Sequence, residues 1–309
     1  MKIVRFSQNG HSPRLGCFLG QDRVADLEAS CVSWLQAKGV VRAAAIAAAL
    51  FPQSTRGFLE GGSATQDMLG AMVEATKAGK FQPVSHPINS LRLHAPINDP
   101  HKFICIGLNY RDHAEESGNP IPKEPPVFPK WNNAIQDPGE PILRPRGEKR
   151  FDWEVELGVV IGKTARFVPK EKALDYVYGY TIINDASARD FQFHTSQWGP
   201  GKMGDTLAPV GPYIADRTEI PDPHALTLKC SVNGTLMQEG NTKNFIFDIG
   251  YIIQYLSNIM TLAPGDLIAT GTPAGVGFSR KPPILLQPGD VCKLEITGLG
   301  SLENPVKDA

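Results

Sequence analysis

This chain of 309 residues is poor in the features that mark several protein classes. It has only five cysteines, Cys17, Cys31, Cys105, Cys230 and Cys292, an odd number with no C-x-x-C pair. That argues against a disulfide framework and a thiolate zinc site, and for a reducing compartment. Net charge is nearly absent: 31 basic and 32 acidic residues leave a formal −1. Nothing in that balance suggests a nucleic acid or other polyanion as partner. Long apolar runs are missing too. The most apolar helical stretch, AAAIAAALF at 43–51, falls far short of the ~20 residues of a membrane span. The opening MKIVRFSQNGHSP lacks the apolar core of a signal peptide. A cytoplasmic protein is expected, or a mitochondrial one in a eukaryotic source, with no membrane partner. No internal repeat or low-complexity tract is visible.

Glycine and proline are plentiful, 30 and 26 residues, which points to short strands and many turns. Residues 1–90 differ from the rest. MKIVRFSQNG and RLGCFLGQDRVADL read as short strands, followed by alanine-rich helices around 31–50 and 64–79. A proline-punctuated stretch from Phe81 to Phe103 reads as a linker. The expectation is a small N-terminal α/β domain over 1–90 and a larger catalytic domain over 91–309. In the larger part β signals dominate: KFICIGLNY and YTIIND are apolar strands, and LTLKCSVNGTLMQEG alternates around Asn233-Gly234 as a hairpin. One helix stands out, with Asp248 as its cap and Ile249, Ile252, Ile253, Leu256, Ile259 and Met260 on one face.

FDWEVELGVVIG, residues 151–162, poses the functional question. As a strand it puts Trp153, Val155, Leu157, Val159 and Ile161 on one face, with Glu154 and Glu156 together on the other. Like charges on one strand face weaken a sheet. Asp185 ends another strand. Three carboxylates from two strand ends make a cage for a hard cation, Mg²⁺ or Mn²⁺ with Ca²⁺ as a further candidate, which turns repulsion into shared attraction. A solvated face paired with lysines is the ordinary alternative for E-x-E alone. GLNYRDHAEESG at 107–118 offers His113 and Glu116 three apart, so that a helical turn lets the glutamate orient the imidazole. Lys202 sits in a Gly/Pro loop. ATGTPAGVG at 269–277 lacks both the G-K-[ST] of a P-loop and the dinucleotide spacing. Its amides and Thr272 suit a small carboxylate instead.

Seven stretches, GLNYRDHAEE, FDWEVELGVVIG, NDASARDFQ, GKMGDTLAPVGP, VNGTLMQEGNT, PGDLIATGTPAGVG and RKPPILLQPGD, run in one order across about two thirds of the chain. Together they resemble the fumarylacetoacetate hydrolase (FAH) superfamily. The likeness is to its branch of acylpyruvate hydrolases and oxaloacetate tautomerases or decarboxylases. The resemblance implies an α+β, mostly β fold, a mixed β-roll that binds Mg²⁺ or Mn²⁺, usually as a homodimer. By motif position it implies Glu154, Glu156 and Asp185 as metal ligands, and His113 with Glu116 as the dyad that activates water. Lys202 becomes the catalytic lysine, and Arg189, Gln192, Thr272 and Lys130 contact substrate. The expected activity is metal-dependent hydrolysis of a C–C bond in an acylpyruvate-like or fumarylpyruvate-like diketo acid. The alternatives are an oxaloacetate decarboxylase or keto–enol tautomerase, or a 2-hydroxymuconate-type isomerase. A non-catalytic module holding structural Ca²⁺ leaves His113, Glu116 and Lys202 without a role.

Overall fold

The computed structural model describes all residues, 1–309. The N-terminal segment begins with three antiparallel strands, β1 (Lys2–Ser7), β2 (Arg14–Leu19) and β3 (Arg23–Asp26). Four helices follow: α1 (Leu27–Gln36), α2 (Ala43–Leu50), α3 (Thr55–Glu60) and α4 (Gly62–Lys77). The single helix expected around 31–50 is therefore two. The break falls at Ala37–Arg42, where Gly39 takes a positive φ of 74° and the chain turns α2 back onto α1. The α3 turn, capped by the Ser54 hydroxyl on the Gly57 amide at 3.1 Å, is too short for a periodicity to reveal. The stretch expected as a linker contains two strands, β4 (Ser85–Pro87) and β5 (Arg92–His94), which pair with β3 and β1.

Next come β6 (Phe103–Ile106), α5 (Arg111–Glu116), β7 (Val127–Lys130), β8 (Ile135–Gln136), β9 (Ile142–Arg144), β10 (Phe151–Asp152) and β11 (Val155–Ile161). They lead into β12 (Val177–Asn184), β13 (Ser187–Ala188), the short α6 (Arg189–Gln192) and β14 (Ala208–Asp216). The last part holds β15 (Thr227–Val232), β16 (Thr235–Asn241), α7 (Ile249–Ile259), β17 (Leu267–Ala269), β18 (Val291–Ile296) and β19 (Gly300–Asp308).

A large mixed sheet runs β4-β3-β2-β1-β14-β12-β11-β17-β6-β7, so β1 is hydrogen-bonded to β14. A second sheet runs β16-β15-β18-β19-β9, and β10 and β13 form a small ribbon. Asn233 and Gly234, with φ of 50° and 78°, close the β15–β16 hairpin; two consecutive positive φ values are what a two-residue turn of the favoured twist requires. The α+β, strand-rich fold is as the sequence implies.

The segment 151–162 is not one strand. The ladder breaks at Trp153–Glu154: Phe151 and Asp152 pair with β13, whereas Val155 onward pairs with β12. The apolar face is where alternation puts it, with Trp153, Val155, Leu157, Val159 and Ile161 all inside one core. The opposite face is also covered, since Val160 belongs to a second core beneath the N-terminal helices. The two glutamates therefore project into the protein, not into water. In α7, Asp248 caps the Tyr251 amide at 2.8 Å. Ile249, Ile252, Ile253 and Leu256 are buried, while Ile259 at the last turn is exposed and Met260 lies beyond the helix.

Candidate active site

Strand ends of the large sheet build the site. Val155 lies opposite Asn184 in the β11–β12 ladder. Just beyond it, the Asp185 amide donates to the Glu154 carbonyl at 2.9 Å, and the Glu154 amide donates to Asn184 Oδ1 at 3.1 Å. This lock brings Glu154 and Asp185 side by side, with Glu156 one pleat further along β11. One oxygen from each of the three carboxylates lies within 4.8 Å of the others. All three residues are buried.

Lys202 joins them from the turn after α6. Its Nζ donates to Glu154 Oε2 at 2.9 Å and to Asp185 Oδ2 at 2.8 Å. Gly201 permits this placement, because a Cβ there would fall 2.5 Å from the Ala188 carbonyl oxygen. Arg189 reaches the same glutamate, with Nη2 2.7 Å from Glu154 Oε1. Its remaining donors go to Asp152 and to Gln192 Oε1.

Burial opposes charge on Glu154, but Lys202, Arg189 and His113 outweigh it and hold the carboxyl down at about 2. Glu156 goes the other way: burial first, then Asp185 and Glu154, push its carboxyl well up. Burial alone lowers the Lys202 ammonium, yet Asp185 and Glu154 bring it above its ordinary value. Two carboxylates on neighbouring positions thus differ because the cations cluster on one of them.

His113 lies on α5, the helical turn that leaves β6. Its Nδ1 is 2.9 Å from Glu116 Oε1, the geometry that spacing i, i+3 gives. Glu116 in turn accepts the Gly275 amide at 2.9 Å through its other oxygen. His113, the three carboxylates, Lys202, Arg189, Gln192 and Thr272 open onto one cavity of about 70 Å³.

Two expected substrate contacts sit elsewhere or are engaged otherwise. Lys130 is buried behind Asp185, outside the lining. It donates to the carbonyls of Ala186, Lys202 and Leu207 at 3.2, 2.6 and 2.7 Å while lying 2.7 Å from Asp185 Oδ1. Thr272 donates to the Val155 carbonyl at 2.9 Å and accepts from Gln238 at 2.8 Å. The amides of the 269–277 loop, expected to hold an external carboxylate, hold the protein's own. Gly271 bonds Glu156, Gly275 bonds Glu116 and Gly277 bonds Asp152.

Three supporting residues escaped the sequence reading. Asp152 binds Arg189 and the amides of Gly277 and Phe278. Gln238 accepts the Val155 amide and donates to Thr272 and the Pro273 carbonyl. Asn109 ties the segment before α5 to Phe247 and Thr270. The only local signal was for Asp152, an acid beside a tryptophan in an apolar stretch.

The carboxylates fit a hard divalent cation. Asp185 Oδ1 is buried 2.7 Å from Lys130 Nζ, and one oxygen from each of Glu154, Glu156 and Asp185 lies within 4.8 Å of the others. Four buried carboxylates, Asp152 included, face three cations, and Glu156 is the one with no cation within ion-pair distance. An all-oxygen donor set with surplus negative charge suits Mg²⁺ or Mn²⁺.

Fold and site together define an enzyme of the fumarylacetoacetate hydrolase class. The family model described as "Fumarylacetoacetate (FAA) hydrolase C-terminal" matches residues 102–307, and the chain belongs to that family. It is 52% identical over 232 residues to the fumarylacetoacetate hydrolase domain-containing protein 2 homolog of Dictyostelium discoideum, covering 72% of this chain and 76% of that one. It is 39% identical to the oxaloacetate tautomerase fahd2, mitochondrial, of Xenopus laevis, over 99% of this chain and 90% of that one. Among solved structures, the fumarylacetoacetate hydrolase of Exiguobacterium antarcticum superposes with a TM-score of 0.79 at 32% identity, over the whole of both chains. The 5-carboxymethyl-2-hydroxymuconate delta-isomerase of Mycobacterium smegmatis gives 0.74 at 31%, over 100% of this chain and 99% of that one. No helix is long and apolar enough to cross a membrane.

Proposed function

We propose that the chain interconverts the keto and enol forms of a small 2-oxo diacid, with oxaloacetate as the substrate to test first. One observation carries this reading: the His113–Glu116 pair and three clustered carboxylates open on a single cavity of about 70 Å³. The relative named as an oxaloacetate tautomerase aligns along nearly the entire chain, which supports the same choice.

Glu154, Glu156 and Asp185 would hold the cation, Mg²⁺ or Mn²⁺ ahead of Ca²⁺. Such an ion, when bound, supplies Lewis-acid polarisation of a 2-oxo acid. The proton work falls to His113. With Nδ1–H donated to Glu116, Nε2 carries the lone pair, takes a proton from C3 and returns one to the ketone oxygen. One proton moves from carbon to oxygen with no net change of charge, and the reverse path uses the same nitrogen. Lys202 and Gln192 set positive charge and amide donors beside the substrate carboxylates.

Hydrolysis of a diketo acid is the second reading, favoured by the same dyad. There His113 takes a proton from water, the hydroxide adds to the distal carbonyl, and Lys202 and Gln192 steady the oxyanion. The C–C bond then breaks, with its electron pair and a proton going to the departing pyruvate. Decarboxylation of oxaloacetate and isomerisation of a 2-hydroxymuconate share the enolising step. We also propose a homodimer, which light scattering in solution would test.

Oxaloacetate equilibration is followed by enol absorbance with Mg²⁺ or Mn²⁺ and again with excess chelator. Metal-dependent acceleration without CO₂ release is expected. No acceleration, together with metal-dependent release of pyruvate from acetylpyruvate, replaces this reading with the hydrolase.

A further inference from the structure

We propose that Ser7, His94 and Asp137 form a second reactive centre, an acyl-transfer triad that cleaves small esters without a metal. Ser7 ends β1, His94 ends β5 and Asp137 follows β8. None of them lines the cavity of the carboxylate cluster. Ser7 Oγ lies 2.8 Å from His94 Nε2, and His94 Nδ1 lies 2.7 Å from Asp137 Oδ2. Hydroxyl, far ring nitrogen, near ring nitrogen and carboxylate follow one another in the order nucleophilic catalysis needs, and such a constellation is recognised by geometry and roles, not by chain position.

Two further observations separate this from a chance chain of hydrogen bonds. Asp137 is itself fixed, since its Oδ1 accepts the Ala95 amide at 2.8 Å. That leaves Oδ2 to orient the imidazole, with Arg92 standing 3.6 Å from it. The serine also opens onto a cavity of about 540 Å³, lined by Ser7, His94, Asn9, Gly10, Asn89 and Ser90. In the turn after Ser7, the Asn9 and Gly10 amides donate to no protein acceptor, and the turn's one internal bond runs from the His11 amide to the Gln8 carbonyl. Both residues are exposed, and free backbone N–H groups are the kind of donor a tetrahedral oxyanion requires.

The chemistry closes with water as co-reactant. Ser7 Oγ bonds to the ester carbonyl carbon while its proton passes to His94 Nε2. The carbonyl–oxygen bond to the alcohol breaks, and the alcohol leaves with that proton. Water, deprotonated by the same nitrogen, then releases the acid and restores the serine. The polar lining of Asn9, Asn89 and Ser90 suits a short polar acyl group rather than a lipid.

The test uses the full chain in excess chelator, with p-nitrophenyl acetate as substrate and a fluorophosphonate as covalent probe. Stoichiometric labelling at Ser7, mapped by mass spectrometry, is expected with wild-type protein. Ser7→Ala should reduce ester turnover to the buffer background, and Asp137→Asn should lower it about 10²-fold or more. Ser7→Ala should leave metal-dependent oxaloacetate equilibration unchanged, so the two centres fail or stand separately. Absence of labelling in the wild-type protein, or labelling that persists in Ser7→Ala, overturns the triad and leaves the three residues as a tie between β1, β5 and the turn after β8.

Discussion

Asp152 grips Arg189 through one oxygen, Oδ2, which accepts from Nε at 3.0 Å and from Nη2 at 2.8 Å. Both side chains are buried. The same guanidinium reaches Glu154, so Asp152 sets the position of a cation that neutralises a proposed metal ligand. Asp152→Asn would put an amide against guanidinium donors and leave a buried charge short of its partner. Breaking such a pair costs about 3–5 kcal/mol, and urea unfolding should show a loss of that order. An unfolding free energy within about 0.5 kcal/mol of wild type would remove Asp152 from this role.

Glu156 makes a prediction with two signs. It has no ion-pair partner and faces Glu154 and Asp185. Burial and those neighbours raise its carboxyl above its ordinary value. A raised acid is a burden on the fold at every pH above its unfolded value. In excess chelator, Glu156→Gln should raise stability by on the order of 1 kcal/mol, about 2–4 °C in melting temperature. The same change removes a ligand, so calorimetry should show Mn²⁺ affinity weakened about tenfold or more. A variant that binds Mn²⁺ as wild type does refutes the cage.

How much of this was legible depends on how local each signal is. The His113–Glu116 pair and the Asn233-Gly234 turn are set by neighbours along the chain, and spacing alone located them. The glutamates of β11 were visible as a conflict between charge and an apolar strand. Asp152, Gln238 and Asn109 were not, because each acts on partners 30 or more positions away: Asp152 on Arg189, Gln238 on Val155, Asn109 on Phe247. The strands β4 and β5 were hidden for a related reason. Three residues each, with prolines nearby, carry no period, and only pairing with β3 and with the end of β1 that runs past β14 makes them strands.

Two acids link the N-terminal segment to the rest of the chain. Asp216 accepts the Met1 amine at 2.7 Å, and Asp137 accepts from the Ala95 amide while contacting His94. Burial works against both charges, but these partners outweigh it and hold both carboxyls below their ordinary value. A lowered acid contributes stability that is complete above its unfolded value, about 3.9 for Asp, and is lost as pH falls through its folded value. Hydrogen exchange should therefore show β1 and β5 opening before β11 and β12 as pH drops below about 4. Simultaneous opening of all four strands would show that these two ties do not set the acid limit.

His113 offers the sharpest test of the proposed chemistry, because its partners are arranged around one ring nitrogen. Glu116 holds Nδ1, and Gly275 holds Glu116, so the imidazole is fixed from behind while the ring lines the cavity. His113→Ala should lower kcat/KM for oxaloacetate equilibration by about 10²–10⁴-fold. Mn²⁺ affinity should hardly change, since His113 is not among the three clustered carboxylates. Glu116→Gln keeps the shape but gives up the carboxylate that orients the ring, so its loss should be smaller and should fall on kcat more than on KM. The order matters more than either magnitude. If Glu116→Gln is as damaging as His113→Ala, the glutamate carries the proton itself; if neither variant slows the reaction, proton transfer belongs to Lys202 or to solvent.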